Sequence, residues 1–213
     1  MHPIDHIRKF TTLTPELEKK LRSVMRDKTF AKGETIHSLQ LLRKGTFYIT
    51  RGAARVFYTQ GGREHTVSFA FSDQFVIIPH GGYSASSDTV AVQFLLPTTA
   101  TFVPRLSIKT ELEESGALID LEALLFFNTA LLQYTDFLEE RVDVLQTLNA
   151  RERYEWAINR FPRLPDCATA TQIASFLGIT KETLYRIKNG SYTDRRPNGQ
   201  RTQQNGDSRP DKK

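Results

Sequence analysis

Cysteine is nearly missing from this 213-residue chain: Cys167 stands alone. One thiol closes no internal disulfide and cannot hold a cluster that needs several thiolates. No run approaches the ~18 consecutive apolar residues of a membrane-spanning helix. The opening MHPIDHIRKF lacks the apolar centre of a secretory signal. The chemistry of an enzyme is also absent. No nucleophile stands at a meaningful spacing from a base, and no glycine-rich loop is placed to cradle phosphate. His80-Gly81-Gly82 looks like a fragment of an oxyanion loop, but no Gly-x-Ser-x-Gly elbow accompanies it. Beyond the N-terminal segment the histidines are His37, His65 and His80, without metal-ligand spacing. The expectation is a cytoplasmic protein that is not an enzyme, with no cofactor, no bound metal and no membrane partner.

The charge is unevenly spread. Residues 151–213 hold 13 Lys and Arg against 7 Asp and Glu, a net +6, while the rest of the chain is close to −1. A basic C-terminal part on a near-neutral body suits contact with a polyanion, although a solubilising tail would look the same.

Hydrophobic patterning divides the chain. Residues 14–26, TPELEKKLRSVMR, read as a short packing helix: Thr14 caps it, Pro15 suits its first turn, and Leu17, Leu21 and Val24 share a face. Residues 30–104 read as β structure. TFYIT, ARVFYT, HTVSFAF, QFVII, TVAVQFLL and ATFVP are rich in Val, Ile, Thr and aromatics, and Gly/Pro turn signals separate them. Gly61-Gly62 marks a hairpin, and the many short strands favour a sandwich or jelly roll. From residue 117 leucine takes over. Leu121, Leu124, Asn128, Leu131, Thr135, Leu138, Val142 and Leu145 recur at alternating steps of three and four, a heptad seam. Asn128 and Thr135 take a-type positions, where a buried Asn can fix two-strandedness. Leu125, Phe127 and Leu132 widen the stripe, so the helix is expected to meet both its own β domain and a second copy of the chain. An internal core helix is the alternative. After Asn189 the chain is polar and rich in Gly and Pro, and reads as a disordered basic tail.

The most informative stretch is 170–188, ATQIASFLGITKETLYRIK. Two helices can cross steeply only if the first is small at the crossing and the link turns sharply. Ala174 is small, and Gly178 can take the positive φ of a helix end. Ile173, Leu177, Ile179, Leu184 and Ile187 supply buried faces, and Thr180 caps the second helix. That is a helix-turn-helix, though a structural helical hairpin would satisfy the same packing. Lys181, Glu182, Tyr185 and Arg186 point outward from the second helix. In a major groove Arg186 can present paired donors to guanine and Glu182 can accept from cytosine. Lys181, Thr183 and Lys188 suit phosphates. On a protein without DNA the same residues would be a solvated helix face.

In this order the elements resemble the Crp/Fnr family of bacterial regulators. The resemblance runs over roughly residues 10–190. It shows in LTPELEKKL, AKGETI, YITRGAARVFY, HTVSFAFSDQFV and, most specifically, LGITKETLYRIK. It implies an α+β architecture: a cyclic-nucleotide-binding-like jelly roll over residues 1–115, a dimerisation helix over 116–148, a helix-turn-helix domain over 149–190 and a tail over 191–213. It also implies double-stranded DNA, a second copy of the chain and RNA polymerase as partners. By position Lys181, Glu182 and Arg186 match the family's DNA-contacting residues, with Lys where Arg is more usual at 181. Members that bind cyclic AMP carry a Gly-Glu pair after the strand that here ends near Phe75, and an Arg-Ser pair on a later segment. Here SDQF continues as Val76-Ile77-Ile78, and Asp88-Thr89 stands where Arg-Ser would be. No arginine lies between Arg63 and Arg105. Unit charges ~4 Å apart interact by ~4 kcal/mol at an effective dielectric of ~20, so a carboxylate there opposes a cyclic phosphate. Cyclic AMP is therefore not the expected effector. Tyr83, Ser84, Ser86 and Ser87, with Asp88 and Thr89, are the candidate pocket for some other small polar molecule. The family's β wing after the recognition helix is expected to be missing. A sensor or adaptor that kept this fold without binding DNA is the competing reading.

Overall fold

The computed structural model describes residues 1–10, 12–37, 45–77, 89–104 and 121–194; at 89 and 121–130 it describes the backbone alone. Helix α1 (Pro3–Ile7) is followed by α2 (Pro15–Val24), in which the Thr14 side chain accepts from Leu17 N–H and Pro15 opens the first turn. The helix stops at Val24 because Met25 is extended, two residues before the sequence expectation. Eight strands follow: β1 (Arg26–Phe30), β2 (Thr35–Ile36), β3 (Gly45–Arg51), β4 (Ala53–Gln60), β5 (Arg63–Phe71), β6 (Gln74–Phe75), β7 (Thr89–Phe94) and β8 (Thr98–Pro104). They form two antiparallel four-stranded sheets, ordered β1-β8-β3-β6 and β2-β7-β4-β5. Gly61 and Gly62 join β4 to β5 with φ of 57° and 73°, the left-handed pair that a tight hairpin needs.

Between the sheets lies a core of Phe30, Phe47, Ile49, Val56, Val92 and Phe94, with Phe30 stacked on Phe94 at 3.8 Å. Helices α1 and α2 close the outer face of the first sheet with Ile4, Ile7, Leu17 and Leu21 against Tyr48 and Val103.

The second sheet carries buried apolar side chains on both faces. Alternation along β4 sends Ala54 and Val56 inward, while Ala53, and Phe69 and Phe71 of β5, belong to a different cluster outside. Helices cover that outer face. Helix α3 (Leu121–Thr147) leads to α4 (Ala150–Arg160), α5 (Leu164–Cys167), α6 (Ala170–Leu177) and α7 (Lys181–Lys188). Phe161, Leu164, Ile173, Phe176 and Leu184 pack with Ala53, Phe69, Phe71 and Leu95 into one cluster. Each of the Phe, Leu and Ile side chains taken from water contributes roughly 1.5–3 kcal/mol. Sandwich and helical head therefore share a core. Among the described residues no helix is long and apolar enough to cross a membrane, and no three His, Cys, Asp or Glu side chains gather to hold a metal ion.

Candidate nucleic-acid interface

The head is built around a tight turn. Thr169 and Gln172 cap α6 reciprocally: Thr169 Oγ1 accepts from Gln172 N–H, and Gln172 Oε1 accepts from Thr169 N–H at 2.9 Å. At the far end Gly178 has φ 65°, and Ile179 N–H reaches back to the Ala174 carbonyl at 3.0 Å, the long bond of a Schellman closure. Thr180 then caps α7, its Oγ1 accepting from Thr183 N–H at 3.1 Å. Ile173, Ala174 and Leu177 on α6 and Leu184 and Ile187 on α7 are buried, and Ile179 is half-buried in the turn. All seven positions assigned from packing thus lie where the helix-turn-helix needs them.

The outward residues divide. Lys181, Glu182, Tyr185, Arg186 and Lys188 are exposed, Tyr185 to 47%. Lys181 Nζ lies 5.7 Å from the Tyr185 ring centre, one helical turn on. Thr183 is half-buried, and its hydroxyl lies 3.0 Å from that of Thr180. An open groove of about 290 Å³ runs beside the end of α7, lined by Arg151, Tyr154, Glu155, Ile187, Lys188 and Gly190. After α7 residues 189–194 form no strand, and residues 195–213 lie outside the described part.

Several side chains that sequence reasoning did not single out hold the head. Arg153 donates to the carbonyls of Leu145 at 2.6 Å, Leu148 at 3.0 Å and Leu177 at 3.4 Å, tying the end of α3, the junction and the end of α6 together. Arg141 of α3 donates to the Phe176 carbonyl at 3.2 Å and lies 5.1 Å from that residue's ring centre. Trp156 of α4 stacks on Phe176 at 5.8 Å and donates to Glu140 at 2.7 Å. A polar seam joins α6 to the sandwich. Ser175 Oγ accepts from Thr66 N–H at 3.0 Å and donates to the Glu64 carbonyl at 3.2 Å. Gln172 Nε2 donates to Gln93 Oε1 at 3.1 Å, and that oxygen also accepts from Arg55 Nε at 2.8 Å. Arg55 is 3% exposed, with its guanidinium paired to Glu64 and bonded to Thr66. No sequence motif flags this network, since its partners are 79 and about 110 residues apart.

The described part of the heptad seam is open to solvent in the single chain. Leu131 is 61% and Val142 51% exposed, Thr135 is exposed, and Leu138 and Leu145 are half-buried. Leu132, beside the seam, is 55% exposed. Helix α3 includes positions 121, 124 and 128, but the side chains of Leu121, Leu124 and Asn128 lie outside the described part. So do Tyr83, Ser84, Ser86, Ser87 and Asp88 of the candidate pocket, and the Thr89 side chain.

A two-sheet sandwich, a long helix and a helix-turn-helix in this order make the fold that Crp/Fnr transcription regulators share. A Crp/Fnr-family putative transcriptional regulator from Eubacterium rectale superposes over 84% of this chain and 83% of its own, with a TM-score of 0.60 at 14% identity. FixK2 from Bradyrhizobium japonicum gives 0.55 at 21% identity, over 78% of this chain and 84% of its own. The c-di-GMP-responsive global regulator CLP of Xanthomonas campestris gives 0.59 at 11% identity, over 82% and 89%. At these identities the likeness is one of fold. No protein-family model and no curated protein sequence matches the chain.

Proposed function

We propose that this chain is a sequence-specific DNA-binding transcription regulator of the Crp/Fnr type that works in the cytoplasm as a homodimer. The observation that carries this reading is the exposed row Lys181, Glu182, Tyr185 and Arg186 on α7, held by a turn that only a small Ala174 and a left-handed Gly178 permit. In this reading α7 enters the major groove. Arg186 and Glu182 meet base edges, and Lys181, Thr183 and Lys188 meet phosphates. The two copies pair along α3, which leaves the reading helices about one turn of DNA apart, ~34 Å.

The division into an effector domain (1–115), a dimer helix (116–148), a reading head (149–190) and a basic tail (191–213) belongs to this proposal. So does independence from cyclic AMP, which rests on Asp88-Thr89 and the missing arginine. A small polar effector at residues 83–89 and contact with RNA polymerase complete it.

The test is selection of bound sequences from a random duplex pool at moderate salt, followed by Arg186→Ala. The wild-type chain enriches a near-palindrome. Arg186→Ala weakens binding by about 1–3 kcal/mol and relaxes the preference at one position in each half. Uniform weakening over all sequences removes the reading role from Arg186. A wild-type chain that enriches nothing leaves the adaptor reading in place.

A further inference from the structure

The helix-turn-helix head is cemented to its own sandwich. Three observations bear on this. The outer face of the β2-β7-β4-β5 sheet carries Ala53, Phe69, Phe71 and Leu95, an apolar surface that would meet water if the head left. The edge of that sheet, strand β5, turns its Glu64 carbonyl and Thr66 N–H outward, and Ser175 satisfies both. Edge strands with bare backbone groups need cover, and α6 supplies it. Gln172 and Gln93 then extend the contact to Arg55, which is buried beneath α6. Yet none of this occupies the reading face: Lys181, Glu182, Tyr185 and Arg186 all remain exposed with the head in place.

We propose that the head reads DNA while it stays docked, with Ser175 and Gln172 as positioning residues that hold α7 at a fixed place on the sandwich. The inference rests on the DNA-reading proposal above and adds where the reading geometry comes from. Because each head is fixed to its own sheet, the distance and angle between the two reading helices of a dimer follow from how the two sandwiches pair. Any effector would then act on that pairing and not by detaching a head. A rigid pair also tolerates only one half-site spacing, because each added base pair turns one half-site by roughly a tenth of a turn against the other.

The experiment uses the full chain and the duplex that the wild type selects from a random pool. In a Cys167→Ser background, Gln93→Cys and Gln172→Cys are joined by a short reducible bifunctional thiol reagent, which locks α6 to β7. The locked protein is expected to bind the selected duplex within about twofold of its reduced form. Loss of tenfold or more on locking, recovered on reduction, overturns the inference, because the head must then leave the sheet to bind. A second arm needs no cross-link. Ser175→Ala is compared with wild type on duplexes whose half-sites are moved by one and two base pairs. The variant is expected to lose the steep spacing penalty, and Ser175→Thr, which keeps the hydroxyl, is expected to restore it. A spacing profile for Ser175→Ala that matches wild type also overturns the inference. A wild-type chain that enriches no sequence defeats the underlying DNA-reading proposal and this inference with it, an outcome distinct from the other two.

Discussion

Gly178 and His6 show how single positions are held by different forces. At Gly178 an added Cβ would find room, with Leu145 Cδ2 at 3.5 Å and Arg153 Nη1 at 3.8 Å. Backbone conformation is therefore the constraint, since φ 65° puts a Cβ too near the following carbonyl. Gly178→Ala is expected to destabilise by about 1–2 kcal/mol, measured by chemical denaturation; no loss would mean the turn relaxes to another conformation. His6 sits among Phe10, Tyr48 and Phe75, ring centres 5.2–5.5 Å away, and its buried Nδ1 meets no partner among the described residues. Burial, then the nearby Lys9, holds its pKa below the ordinary 6.5, with Asp73 opposing. The unfolded chain accordingly takes up this proton at a higher pH than the folded one. The stability tied to neutral His6 is fully present above the unfolded value and declines as pH falls through it. The melting temperature of His6→Phe should fall less than that of wild type between pH 7 and pH 5; equal slopes would remove His6 from the acid response. The helix-turn-helix residues were legible in the sequence because each meets a local steric demand. His6 was not, because nothing near it in the chain announces Tyr48 or Phe75.

At the scale of elements, what could be read from the sequence depended on contrast with the surroundings. Strands β3, β4, β5, β7 and β8 were legible because β-branched and aromatic residues crowd between Gly and Pro signals. Strand β1, RDKTF, was not: it is an edge strand whose first four residues are exposed, and pairing with β8 alone makes it a strand. Helix α1 is five residues long and is held by Ile4 and Ile7 against the sheet, a tertiary effect without periodicity. Helix α3 carries a seam whose step pattern was plain, and the exposure of Leu131 and Val142 is what a surface awaiting a second copy would have. The double variant Leu131→Glu with Val142→Glu should convert a dimer to a monomer in light scattering with helix content unchanged. A dimer that survives the two charges would place the self-contact elsewhere.

For the whole molecule, the decisive feature is a core shared between sandwich and head. The sequence suggested separable domains because composition changes at residue 117 and again near 150. It could not reveal that Phe69 of β5 meets Phe161 and Phe176, and Phe71 meets Phe161, far along the chain. Their burial on the outside of an antiparallel sheet, a face that is commonly solvated, is what couples the parts. Scanning calorimetry of the full chain should therefore show one transition whose van't Hoff and calorimetric enthalpies agree. Two resolved transitions would mean that the head melts apart from the sheet.

The chain's lone indole packs against the helical side of that shared core. Trp156 stands on α4, rests on Phe176 of α6 and hands its N–H to Glu140 of α3. Three segments meet around one chromophore, with no second tryptophan to dilute its emission. The ring is half-buried, so any movement that parts these helices would wet it further and shift its colour to the red, and the molecule carries its own optical gauge of how α3, α4 and α6 are packed together.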